Sequence, residues 1–221
     1  MTNLFSMFDP SSSYYFSMNW ISLFLIFIFI PRYMFTLSPR PLFMYNQISN
    51  FILTSLKTNI KKTHLKSLII LWTMFIFISL SNMLSLLPFF FNTTSHISIS
   101  LNLAIPLWLS LMIKSWSKNT QMMLTHLLPS HTPLILCPFM ISIEIISLLI
   151  RPLTLAIRLS ANMIAGHLLM TLLSLMLNHN IFSFTSSSLI LSILISLELA
   201  VALIQSFVFI TLMSLYLNET L

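Results

Sequence analysis

Charge is what this 221-residue chain has least of: Asp, Glu, Lys and Arg make up 6% of its residues, against about 25% in a soluble domain. So few charges cannot solvate a globular surface, so lipid must cover most of the outside. Glycine is nearly absent too, with Gly166 the single example. A Walker loop, a dinucleotide GxGxxG turn and a GxSxG elbow all require several glycines, so those chemistries are excluded. GxxxG helix pairing is excluded with them, leaving Ala, Ser and Thr to make close helix contacts. Cysteine also occurs once, as Cys137, which rules out an intrachain disulfide and any CxxC metal or redox motif. The opening residues, MTNLFSMFDPSSS, lack the basic region and small-residue cleavage site of a secretory signal and the Arg-rich pattern of a transit peptide. The expectation is insertion in the compartment where the chain is made.

What remains is apolar. Hydrophobic residues make up 57%, the mean hydropathy is +0.95, and long apolar runs cover 20–30, 67–91 and 189–217. The pattern predicts an all-α membrane protein of one domain, 1–221, with about five membrane helices (15–34, 67–87, 98–113, 138–177 and 184–217) and one surface helix over 44–60. In that surface segment Met44, Ile48, Phe51, Ile52, Leu56 and Ile60 recur at three- and four-residue steps with Lys57 and Lys61 off the stripe, as on an amphipathic helix lying on a membrane. The net charge of +6 would suggest nucleic acid in a soluble chain. Here the basic residues fall in loops with few interleaved aromatics, so they set orientation and meet anionic headgroups instead. Arg40, Lys57, Lys61, Lys62, Lys66, Lys114 and Lys118 then face the inner compartment. The N-terminus and the His96 loop face the other side, and the C-terminus returns inward.

The last two helices are too long to stand upright. Some forty residues at about 1.5 Å each span roughly 60 Å, twice the ~30 Å hydrocarbon core. Segment 138–177 must therefore be strongly tilted or bent at Pro152, and 184–217 is similarly long. Glu144, Arg151 and Arg158 are spaced by seven and form one stripe, drifting about 20° per step. Asn162 lies one turn beyond Arg158, near the same face, whereas His167, nine residues on, is rotated by about 180°. Glu198 and Gln205 are again seven apart.

An arginine at mid-membrane costs ~2.5–3.5 kcal/mol on insertion scales, so Arg158 requires a carboxylate or a wet cavity. Guanidinium stays charged at every accessible pH, which makes Arg158 a fixed charge and not a proton carrier. Glu144, Glu198 and His167 can exchange protons. A fixed arginine flanked by titratable groups on two facing helices reads as a proton path. Plainer readings stand beside it. Arg158 can pair with Glu198 to lock two helices, Arg151 and Glu144 can snorkel to an interface, Asn162 and Gln205 can be interhelical glue, and His167 can be a satisfied core residue. His64, His126, His131 and His179 sit in or beside loops, where a solvated imidazole is the default.

These residues carry a resemblance. The run IEIISLLIRPLTLAIRLSANMIAGHLLMTLL, 143–173, resembles the core signature of subunit a of F-type ATP synthase, and LELAVALIQSFVF, 197–209, its last helix. NMLSLLPFFFNTTSHISISLNLAIPLWL, from Asn82, agrees, and the opening NLFSMFDPSS is similar to animal mitochondrial members. The resemblance implies a non-nucleotide-binding proton-channel subunit of the membrane sector, CF(0), that is not an enzyme by itself and carries no cofactor or metal. It implies a rotating c-ring as partner, along with other membrane-sector and peripheral-stalk subunits and anionic lipid such as cardiolipin. The implied location is the mitochondrial inner membrane, with the N-terminus towards the intermembrane space and the C-terminus towards the matrix. The family's essential arginine, which separates two half-channels, maps onto Arg158. Gln205 and Asn162 match its polar neighbours, His167 and Glu198 the pair of the intermembrane-space half-channel, and Glu144 an acidic position near the matrix exit. Ser85 and Ser174 replace frequent glycines, which bears on local helix packing, and Arg151 adds a second positive charge.

Two rival classes make different demands. A haem or quinone oxidoreductase subunit needs paired histidines on facing helices, and only His167 lies well inside a predicted span. A structural scaffold needs no proton path. A visible absorption spectrum of the purified complex fraction tests the first rival: the expected result is no haem band that follows this chain in stoichiometric amount.

Overall fold

A computed structural model describes residues 4–11, 17–29, 40–59, 67–87, 90–118, 120, 133, 136–175 and 181–220. Those residues are almost entirely helical, with no strand among them. A short 3-10 turn, Met18–Ile21, leads into α1 (Ser22–Phe29). Then follow α2 (Arg40–Asn59), α3 (Ser67–Ser85), α4 (Ile97–Lys118), α5 (Cys137–Leu175) and α6 (Ile181–Thr220). Arg32, Ile60, Lys61, Lys62, Lys66, His64, Pro88, His126, His131, His179 and the ends of two expected spans (15–16 with 30–34, and 176–177) lie outside the described residues.

The chain is an all-α membrane protein. Among the described residues, four segments are long and apolar enough to cross a bilayer: Ser67–Ser85, Ile97–Ser117, Cys137–Leu175 and Ser187–Asn218. The expected first crossing is described only as the apolar stretch Met18–Ile28, shorter by itself than the ~20 residues of a span. The helix expected to stop at 113 runs on to Lys118, because lysine is a good helix former and no glycine or proline intervenes. Cys137–Leu175 is one continuous 39-residue helix through Pro152, about 58 Å at 1.5 Å per residue.

α6 packs against α2, α3, α4 and α5, and α3 is its main neighbour. Leu68, Leu71, Phe75, Ile78, Asn82 and Ser85, at alternating three- and four-residue steps, are all buried, while Ile69 and Ile70 are exposed. This stripe packs mainly against α6, with α1 and α2 flanking. α4 packs against α5, and α5 against α6. One apolar core joins Leu71, Phe75 and Ile78 to Ala104, Trp108, Leu155, Ala156, Leu159, Phe209, Ile210 and Met213. In lipid, the driving force between helices is close packing and not the expulsion of water. That is why Ala104 and Ala156 are fully enclosed while many Leu, Ile and Phe face outward.

Serine is tolerated here because its hydroxyl finds an acceptor in its own helix. Ser81, Ser160, Ser206 and Ser214 each donate to the carbonyl three residues back, which removes the cost of a bare hydroxyl in hydrocarbon. α4 starts from a capped turn in which the Asn92 side-chain oxygen accepts the Ser95 N–H at 3.2 Å and the Thr94 hydroxyl at 3.1 Å. The amphipathic stripe of α2 is shared between two surroundings: Ile52 and Leu56 are buried, whereas Ile48 and Phe51 are exposed.

Replacing Ala156 with Leu should overpack this core and cost about 1–3 kcal/mol, read as a lower melting temperature of the assembled membrane sector in detergent. Ile70→Ala, on the outward face of α3, should leave the melting temperature nearly unchanged.

Candidate functional site

The site is built on the antiparallel pair α5 and α6. The Arg151 guanidinium lies 5.2 Å from the centroid of the Tyr216 ring, and the Asn162 side-chain amide donates to Gln205 Oε1 at 3.1 Å. From the first contact to the second, each helix advances eleven residues in opposite directions, three turns and about 16 Å. The two contacts pin the register of the hairpin. One turn past Asn162, Gly166 faces Glu198.

Arg158 and Asn162 are exposed on the outward face of α5, while His167 is buried, in accord with the half-turn expected from their spacing. Among the described residues Arg158 has no hydrogen bond or ion pair, and both Glu198 carboxyl oxygens are buried without hydrogen-bond partners. The Arg158–Glu198 lock, one of the plainer readings, is therefore not formed. Gln205 is buried, its amide nitrogen unpartnered. Glu144 is half-buried near the start of α5, fourteen residues or about 21 Å from Arg158, and is not brought into the cluster. Arg151, expected at headgroups or beside Glu144, has the Tyr216 ring as a further partner.

Two cavities meet at His167. The inner one, about 280 Å³, is lined by Asn162, Gly166, His167, Leu194, Glu198 and Leu86, just past the end of α3, among others. The outer one, about 390 Å³, shares His167 and Leu86 and continues along Met7, Phe90 and Ser174. Both can hold several waters, whose share of liquid volume is about 30 Å³ each. The unpartnered His167 Nε2 and the Glu198 oxygens supply the polar partners that water requires.

The sequence profile of the ATP synthase A chain family matches residues 15–218. ATP synthase subunit a of Drosophila melanogaster is 48% identical over 174 residues, covering 78% of each chain. The corresponding protein of Anopheles quadrimaculatus is 44% identical over 197 residues, covering 88% of this chain and 85% of that one. ATP synthase F(0) complex subunit a of Rhopalosiphum padi is 46% identical over 178 residues, covering 78% of this chain and 81% of that one. The chain belongs to the ATP synthase subunit a family. The family is the proton-translocating subunit of the synthase membrane sector, working with other ATP synthase subunits in the mitochondrial inner membrane. The oxidoreductase and scaffold readings find no support among these relatives.

Within a family member the lone glycine takes on a definite function. A β-carbon at 166 would stand 2.5 Å from Glu198 Oε1 and 2.7 Å from its Cδ, closer than van der Waals contact allows. Gly166 is what lets the carboxyl group lie against the α5 backbone. Sequence reading placed His167 and Glu198 in the site but gave Gly166 no such role. Nor did it find the wall supplied by Leu86, just past the end of α3, since contact between distant segments leaves no trace in local spacing. The one available signal was the isolation of a single glycine beside a histidine inside a long helix.

Gly166→Ala should push the Glu198 carboxyl group aside. A shift of about 1 Å in a reacting group can lower a rate by up to about a hundredfold. The expected outcome is a marked loss of proton flux in reconstituted vesicles, with the subunit still present at normal stoichiometry in the complex.

Proposed function

We propose that α5 and α6 form the stationary wall of the proton path, with Arg158 as the fixed charge separating two half-channels beside a rotating c-ring. The observation that carries the proposal is the division of polar groups between the two sides of the hairpin. Arg158 stands exposed without a partner among the described residues, while His167 and Glu198 line cavities on the inner side. A guanidinium left facing hydrocarbon costs ~2.5–3.5 kcal/mol or more. Its counter-charge must therefore come from another chain, and a membrane carboxylate on a c subunit has the required chemistry.

The inlet half-channel runs through the outer cavity to His167 and the inner cavity to Glu198. Its mouth, at Met7, Phe90 and Ser174, lies at the end of the bundle opposite Lys114. The positive-inside rule then puts that mouth towards the intermembrane space, and the cationic ends of α2 and α4, with the C-terminus, towards the matrix. Glu144, close to the start of α5, belongs to the matrix-side outlet. Lys57, Lys114 and Lys118, together with Arg40, meet anionic headgroups such as cardiolipin, and peripheral-stalk and other membrane-sector subunits cover remaining outward faces.

A protonated ring carboxyl is neutral and travels through lipid. Beside Arg158 its ionised form is favoured, so the proton departs into the outlet. A proton delivered by Glu198 from the inlet neutralises the next site. Each charge crossing the membrane yields about 2.3 kcal/mol per 100 mV, so several crossings are needed for each ATP. The Asn162–Gln205 hydrogen bond holds the helix turn that follows Arg158 and keeps the guanidinium directed outward.

Arg158→Gln should abolish ATP synthesis driven by an imposed proton gradient in vesicles containing the complete synthase. Undiminished synthesis in that variant would refute the proposal.

A further inference from the structure

The outer cavity reaches a segment that the proposed path leaves without a role. Met7, on the 3-10 helix Leu4–Phe8, lines that cavity together with Phe90, His167 and Ser174. So short a helix is marginal by itself, and what holds it lies elsewhere in the chain. Two ties are present. The first is a hydrogen bond: the Asn19 side-chain amide donates to the backbone oxygen of Asp9 at 3.2 Å, one residue past the end of that helix. The second is a cluster of three rings. The Trp20 ring, next to Asn19, lies edge-on to Phe91 at 5.6 Å and 5.3 Å from His96, and Phe91 and His96 are themselves 5.3 Å apart. Aromatic rings attract one another at centroid separations of about 4.5–7 Å.

The anchor of this clasp is firm. Phe91 and His96 bracket the capped turn before α4, in which Asn92, Thr93, Thr94 and Ser95 are all buried. Phe90, the neighbour of Phe91, lines the outer cavity, so one short stretch carries both a wall of the cavity and the clasp. Charge fixes the depth of the N-terminal segment. Asp9 is exposed, and its Oδ1 accepts the Ser11 N–H at 3.2 Å and the Ser11 hydroxyl at 2.8 Å. Those bonds, the backbone one foremost, hold the carboxyl below the ordinary carboxylate range. It stays ionised, and a charge is kept at water and out of hydrocarbon. Met7, two residues earlier, is 45% exposed, and its unbranched thioether chain fills irregular gaps and shifts easily.

We propose that the Leu4–Phe8 helix is a strap over the mouth of the outer cavity, held by the Asn19–Asp9 bond and the Trp20–Phe91–His96 clasp, and that Met7 sets how freely water enters. A segment held by so few contacts opens locally while the bundle stays folded. Opening exposes Ser174 and His167 to the aqueous side, and closing narrows the way to them. The bearing of the strap on proton flow rests on the reading of this cavity as the inlet; the closure of the mouth does not.

The test uses the assembled synthase in mitochondria stripped of their outer membrane, with Cys137→Ser removing the native thiol and Ser174→Cys placing one in the cavity wall. A membrane-impermeant maleimide is added outside, and its attachment to the purified subunit is followed with time. Trp20→Ala removes two ring contacts and should raise the attachment rate about tenfold. Met7→Ala shortens the wall with both ties intact and should raise it as well. Phe24→Ala, exposed on α1, should leave the rate at that of the parent. If Trp20→Ala does not assemble, Asn19→Ala takes its place. A rate unchanged by either the tie variant or Met7→Ala, or raised equally by Phe24→Ala, would overturn the inference. Respiration-driven ATP synthesis is measured after the thiol at position 174 is fully occupied, and should be largely lost. If the strap variants raise the attachment rate while full occupation leaves synthesis intact, the strap stands and the reading of the cavity as the inlet has failed.

Discussion

A polar group inside a bilayer has no water to fall back on, and the arrangement of this protein follows from how each one is matched. The backbone answers by becoming helix throughout the spans. The serines and threonines answer by donating to carbonyls within their own helices. What is left after those local solutions is a short set of side chains that no single helix can satisfy. Several of them are gathered at the hairpin of α5 and α6, where Arg151 meets Tyr216 and Asn162 meets Gln205.

The hairpin also explains why so hydrophobic a chain needs small residues at particular places. Helices in lipid gain by fitting closely, and Ala104, Ala156 and Ala202 are enclosed where Leu or Ile would hold the helices apart. Gly166 is the extreme case, since the space a methyl group would fill is occupied by the Glu198 carboxyl. A fold with one glycine has used it where a functional group rests against backbone. The same division of surfaces separates the two charges of opposite sign: Glu198 lines the inner cavity, and Arg158 is exposed on α5.

Much of this was legible from spacing. The three- and four-residue recurrence in 44–60 identified a helix, observed as Arg40–Asn59, but spacing could not say what covers its face, and that face proves to be divided between protein and exposed surface. The length of 138–177 required a tilt or a bend, and the helix is continuous through Pro152. Nine residues between Arg158 and His167 placed them on opposite faces, and one is exposed while the other is buried. Seven residues between Glu198 and Gln205 put them on one face of α6, yet they meet different parts of α5: Gly166 in one case and Asn162 in the other. Spacing along one helix says nothing of the offset at which a second helix packs.

By itself the sequence determined the class of molecule, the helices, the faces on which its few charged and polar residues sit, and the family to which it belongs. These are matters of composition and of helical periodicity, and both are local. Only the tertiary structure decided which faces meet. It packed α6 against α2, α3, α4 and α5, brought Asn82 to Ala202 across 120 positions of chain, opened two cavities on either side of His167, and left Glu198 apart from Arg158. Each of those outcomes depends on how large and small side chains of different helices interlock, a property of pairs of segments that neither segment carries alone.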